Sequence, residues 1–111
     1  LAATSITKTL NESRENLLQE QIKSLKDTAI TYVSNKKYYF KVCPDTFNPA
    51  KTTSKDKNCY VKFTVSELIQ SGLFENKNNI CKEDKKIVVY RKQDGSYDSL
   101  ETYIEDDTCA Y

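Results

Sequence analysis

The stretch CYVKFTVSELIQSGLF, residues 59–74, changes its period halfway along. Cys59, Val61 and Phe63 alternate with Tyr60 and Lys62, the two-residue repeat of a half-buried strand. Thr64 then stands three residues before Glu67. T-V-S-E is the pattern of a capping box, in which the threonine hydroxyl accepts the Glu67 amide and the glutamate reaches back to the threonine amide. Phe63 and Leu68 are placed to staple across that cap. Val65, Leu68 and Ile69 give the helix one apolar side, and Gly72 suits the positive φ that closes a helix. Leu73 or Phe74 can fold back onto that side. A strand leading directly into a two-turn helix, fixed at both ends, is expected here.

The flanks extend the pattern. Downstream, KKIVVYRK (85–92) is the clearest strand signal in the chain. Asp94-Gly95, within QDGS (93–96), predicts a two-residue hairpin because both residues accept positive φ. YDSLETYIED (97–106) returns as the partner strand, with Leu100, Thr102 and Ile104 on one face and Tyr97 and Tyr103 on the other. Upstream, PDTFNPAKTTSKDKN (44–58) holds both prolines and many turn formers, so it reads as a loop with Phe47 as its only large apolar anchor. SNKKYYFKVCPD (34–45) predicts an aromatic strand stopped by Pro44.

Residues 5–34 predict one long helix. Ile6, Leu10, Leu17, Leu18, Ile22, Leu25, Ala29, Ile30 and Val33 recur at steps of mostly three and four, without Gly or Pro. Thirty residues make a rod about 45 Å long. Its apolar face is dense from 17 to 33, but from 1 to 16 it holds only Leu1, Ile6 and Leu10 with small Ala2 and Ala3. The second half can pack on a sheet, and the first half is expected to project. One long helix followed by strands, with a short helix between them, predicts an α+β fold: a long N-terminal helix on a small antiparallel sheet, in a single domain of residues 1–111.

The totals fit a thin core. Leu, Ile, Val and Phe make up just over a fifth of the 111 residues, and eight tyrosines add amphipathic bulk. Such a chain gains from covalent staples. Its four cysteines, Cys43, Cys59, Cys81 and Cys109, lie far apart with no C-x-x-C pair. That spacing disfavours a zinc site, in which tight turns present thiolates in pairs. Four buried thiols are one alternative. Two disulfides in an oxidising compartment are the favoured reading. Of three possible connectivities, 43–59 and 81–109 are chosen because each closes a segment that reads as a unit. Closing loops of this size stabilises by roughly 3 kcal/mol each.

These elements together resemble a known family. A long helix with a projecting N-terminal half, an aromatic strand, and a C-terminal hairpin closed by a disulfide look like the soluble part of a type IV pilin or pseudopilin. FTVSELIQSGLFENKNN is similar to Gram-positive pilin-like proteins, through Leu68, Ile69, Gly72 and Leu73, then Val89, Tyr90, Gly95 and Tyr97. The resemblance implies a filament subunit on a bacterial cell surface, with other pilin subunits as partners. It also implies an apolar segment upstream of Leu1, removed from this chain, that anchors the subunit in the membrane before assembly. Ile6, Leu10 and Leu17 then belong to the filament-packing helix, with Ile6 and Leu10 against neighbouring subunits, while Ile22, Leu25 and Val33 hold the head.

No cofactor, metal or enzymatic activity is expected. The chain has no histidine and only two glycines, so it lacks the commonest general base and any Gly-rich phosphate loop. The acids Asp94, Asp98, Glu101, Asp106 and Asp107 follow no EF-hand spacing. Pairs such as Glu83 and Asp84 are read as solvated surface. Lys36, Lys37 and Lys41 interleave with Tyr38, Tyr39 and Phe40, and Lys51, Lys55 and Lys57 follow, a pattern that suits single-stranded DNA. The competing reading is a strand with lysines outward and aromatics inward, and a net charge of +1 favours it. A secreted, disulfide-stapled binding module, an adhesin or inhibitor, is the alternative to the filament subunit.

Overall fold

The uninterrupted polar stretch at the N-terminus forms a helix, α1, Ala2–Asn35. The computed structural model describes the backbone of residues 2–38 and 40–111, and side chains from Leu10 onward except that of Tyr39. At 1.5 Å per residue α1 is about 51 Å long, nearly the full 57 Å of the molecule's longest axis. The radius of gyration is 16.6 Å, against about 13 Å for a compact chain of this length. The helix stops where Lys37 takes a positive φ of 57° and the Lys36 amide reaches the Tyr32 carbonyl at 3.1 Å.

Among the described residues the rest is a three-stranded antiparallel sheet with one short α-helix and two single 3-10 turns, the α+β arrangement expected. β1 (Tyr60–Thr64) leads directly into α2 (Val65–Gln70), and β2 (Lys86–Asp94) and β3 (Tyr97–Ile104) form the hairpin. The order across the sheet is β1-β2-β3. Phe63 stands opposite Ile87, which stands opposite Ile104, and Val61 opposite Val89 and then Thr102. That row faces α1. Leu25, Ala29 and Val33 share one buried cluster with Phe63, Val65, Leu68, Ile87 and Val89, joined by Phe40, Phe74 and Ile80.

The turn between β1 and α2 forms largely as its sequence directs. The Thr64 hydroxyl accepts the Glu67 amide at 3.1 Å. Gly72 takes a φ of 82°, and Phe74 folds back to be 3% exposed. Only half of the capping box is made, because the Glu67 carboxylate instead accepts the Tyr32 hydroxyl of α1 at 2.8 Å.

Two expectations are corrected. Residues 40–43 form no strand. The Lys41 amide donates to Asn58 and the Cys43 amide to Arg91, at 2.7 Å each, so successive bonds go to two different partners and no ladder develops. Phe40 turns into the core instead. The hairpin turn also sits one residue later than Asp94-Gly95. Asp94 pairs with Tyr97, leaving Gly95 (φ 66°) and Ser96 as the loop. This register sets Ile104 opposite Ile87 in the core; the earlier turn would set it opposite Lys85, beyond the start of β2.

Both disulfides form with the chosen connectivity. Cys43–Cys59 closes the 44–58 loop, whose Phe47 packs on Tyr60 and Tyr90 across the outer sheet face at 5.8 and 5.2 Å. Cys81–Cys109 ties the segment after α2 to the C-terminal end, and its two residues also form a β-bridge. The Asn76 side chain supports it, donating to the Cys81 carbonyl at 2.8 Å and accepting the Cys81 amide at 3.0 Å.

Candidate functional site

The feature that distinguishes this molecule is the way α1 is held. Leu25, Ala29 and Val33 are at most 1% exposed. Three polar clasps reinforce that face along the helix. The Tyr32 hydroxyl donates to Glu67, the Thr102 hydroxyl donates to the Lys26 carbonyl at 3.0 Å, and the Gln21 side-chain oxygen accepts the Lys77 amide at 2.9 Å. Gln21 is 4% exposed, a buried amide whose oxygen is satisfied by the backbone of the segment after α2. Towards the N-terminus the grip weakens. Leu17 and Leu18 are half-buried against the core, and among the described residues the contact nearest the N-terminus is that of Arg14, whose guanidinium lies 5.7 Å from the centre of the Tyr111 ring.

Among the described residues the helix is bare before Leu17. Every residue from Leu10 to Asn16 is exposed, and Leu10 keeps 53% of its surface in water. The side chain of Ile6 lies outside the described residues, as does that of Leu1. Of the three residues assigned to filament packing, Leu10 is on the open surface and Leu17 is shared with the head. Ile22, Leu25 and Val33 all join or flank the head's core, as expected for residues that hold it. No described helix is long and apolar enough to cross a membrane.

The Lys–aromatic stretch separates in space. Phe40 is buried and its carbonyl accepts from Arg91 at 2.8 Å, while Tyr38 is 50% exposed; Tyr39 lies outside the described residues. A surface cleft of about 460 Å³ lies between the end of α1 and α2 and is lined by Tyr32, Asn35, Lys36, Glu67, Gln70, Ser71 and Leu73. Its one strongly perturbed group is Tyr32. The hydrogen bond to Glu67, with burial added, pushes its hydroxyl up to about 12. A phenol so firmly protonated is a poor base at neutral pH, and its hydrogen bond to Glu67 clasps α1 to α2.

The remaining perturbed charges are ion pairs at the sheet's ends. Lys85 lies 2.9 Å from both Glu105 and Asp107, which raises the lysine and, with Lys82, holds the Asp107 carboxyl below the usual range. The Arg91 guanidinium does the same for Asp98. Both arrangements are surface pairs of modest worth. Among the described residues no three Cys, Asp or Glu side chains gather closely enough to hold a metal ion.

Gln21 and the Tyr32–Glu67 pair were missed in the sequence. Gln21 occupies the core face between Leu18 and Leu25, so its position in the period, not its residue type, was the available signal. The two disulfides mark a chain that folds in an oxidising, non-cytoplasmic environment. Comparison with protein-family models, with curated proteins and with solved structures finds no match to this chain.

Proposed function

We propose that the chain is the head and helix of a filament subunit of the type IV pilin or pseudopilin kind, assembling at a bacterial surface through the N-terminal part of α1. One observation carries this reading: a helix about 51 Å long is gripped from Leu17 onward and is exposed at every residue from Leu10 to Asn16. An isolated helical turn with one apolar residue gains little by itself, since helices are stabilised mainly by packing. A partner that buries Leu10 supplies what the head does not. In this reading Ile6 and Leu10 meet neighbouring subunits, Leu17 stands at the junction, and an apolar segment upstream anchors the subunit before assembly.

The sequence encoded before Leu1 tests it directly. A short basic leader followed by an apolar helix of about 20 residues is the expected result, and filaments in electron micrographs of the full-length protein should vanish when Leu10 becomes Asp. An ordinary cleavable signal peptide ending near Leu1 overturns the reading. That result supports the second one, a secreted binding module, which draws on the disulfide-closed 44–58 loop and its Phe47, Tyr60 and Tyr90 cluster.

A further inference from the structure

Among the described residues the sheet has two unpaired edges of opposite charge, β1 carrying Lys62 and β3 carrying Asp98 and Glu101. The bonds Val65 amide to Lys85 carbonyl and Arg91 amide to Cys59 carbonyl extend the β1–β2 ladder at both ends. Antiparallel strands alternate, so Cys59, Val61, Phe63 and Val65 point their backbone groups at β2, and Tyr60, Lys62 and Thr64 point theirs away. By the same alternation Ser99, Glu101 and Tyr103 of β3 bond to β2, and Asp98, Leu100, Thr102 and Ile104 face outward. Among the described residues, no backbone bond beyond the regular elements uses Tyr60, Lys62, Leu100, Thr102 or Ile104. Lys62 and Glu101 are both exposed, and neither has an ion-pair partner among the described residues.

We propose that β1 of one copy of this chain pairs in parallel with β3 of another, with Lys62 beside Glu101, so that copies join head to tail into a continuous sheet. The register is consistent at every position. In a parallel pair a residue whose groups face outward bonds to the two neighbours of its partner. Lys62 therefore donates to the Leu100 carbonyl and accepts the Thr102 amide. Tyr60 bonds likewise to Asp98 and Leu100, and the Thr64 amide to Thr102. Side chains match by face as well. Lys62 and Glu101 share the outer face, and half-buried Val61 meets half-buried Leu100 on the inner one.

Symmetric alternatives are disfavoured by charge. Two β1 strands paired about their middle set Lys62 against Lys62, and two β3 strands bring Glu101 against or diagonal to Glu101. β3 has eight residues and no proline, so nothing in its sequence blocks an approaching strand. The contact is heterologous and does not close on itself, so it builds an open array. It stands independently of the helix-mediated filament.

Charge reversal tests it on the oxidised chain. Sedimentation should show association that grows with concentration and weakens with salt. K62E alone and E101K alone should each lower the association constant at least about tenfold. An equimolar mixture of the two should restore it, because each variant then offers the edge that the other lacks. In the wild-type assembly the amides of Lys62, Thr64, Leu100 and Thr102 should gain protection from hydrogen exchange. A chain that stays monomeric at millimolar concentration overturns the proposal. So does a mixture no more associated than its components, or protection confined to residues 10–16.

Discussion

The two halves of α1 are built from similar residues and differ in what meets them. Neither half contains Gly or Pro, and both are rich in good helix formers. From Leu17 onward the helix meets a sheet, a second helix and three side-chain clasps. From Leu10 to Asn16 the one ring contact among the described residues is that of Arg14 with Tyr111. Local propensity is thus enough to specify helix along the whole length, while burial divides that helix into a structural part and an available part. In a chain with so thin a core, a segment left mostly in water contributes little to the head.

The contrast can be broken by truncating each half. Leu25→Ala removes a side chain that is 0% exposed, and should lower the unfolding free energy by about 2–5 kcal/mol. Leu10→Ala should change it by no more than about 0.5 kcal/mol. Equal losses in urea titrations of the two variants would mean that the bare half is held after all. Next in size is the staple that pins the surface loop. Replacing Cys43 and Cys59 together by Ser should cost about 3 kcal/mol and speed hydrogen exchange across 44–58, with exchange in residues 10–16 unchanged. A change at both places would show the helix end coupled to the head.

The Tyr32–Glu67 clasp sharpens the comparison through pH. The tyrosine's proton is held more tightly in the folded state, at about 12 against an ordinary 10.0. The stability it contributes is therefore complete below pH 10 and is lost as pH rises from 10 through about 12. Tyr32→Phe should abolish that part of the alkaline slope, read as the difference between variant and wild-type urea midpoints across the window. A slope that survives the substitution would show that the clasp does not tie α1 to α2. The smallest effect is expected at Thr108, which is 0% exposed and whose hydroxyl has no hydrogen-bond partner among the described residues. Thr108→Val should leave thermal stability unchanged or raise it by up to about 1 kcal/mol. A clear loss would reveal a partner for the hydroxyl.

Much of the fold was legible because its signals are local. The 3.6-residue spacing of Leu18, Ile22, Leu25, Ala29 and Val33, the Thr64 cap and Gly72 each act within a few residues. The four cysteines paired as expected because each bridge closes one contiguous segment. The misreadings came where a distant group competed. Glu67 fits a capping box until Tyr32, 35 positions earlier, offers a hydroxyl. Asp94-Gly95 is a good turn until Ile104 needs Ile87 as a neighbour. Phe40 looked like a strand residue and was taken by the core.

By itself, then, the order of residues determined the helix periods, the strands, the cap and the places where the chain turns, because backbone conformation and short-range hydrogen bonding depend on near neighbours. Only the assembled molecule decided where the grip on α1 ends, which register the hairpin takes and which sheet edges stay open. Those outcomes depend on what competes for the same buried space or the same hydrogen-bonding group, and the competitors lie far apart along the chain.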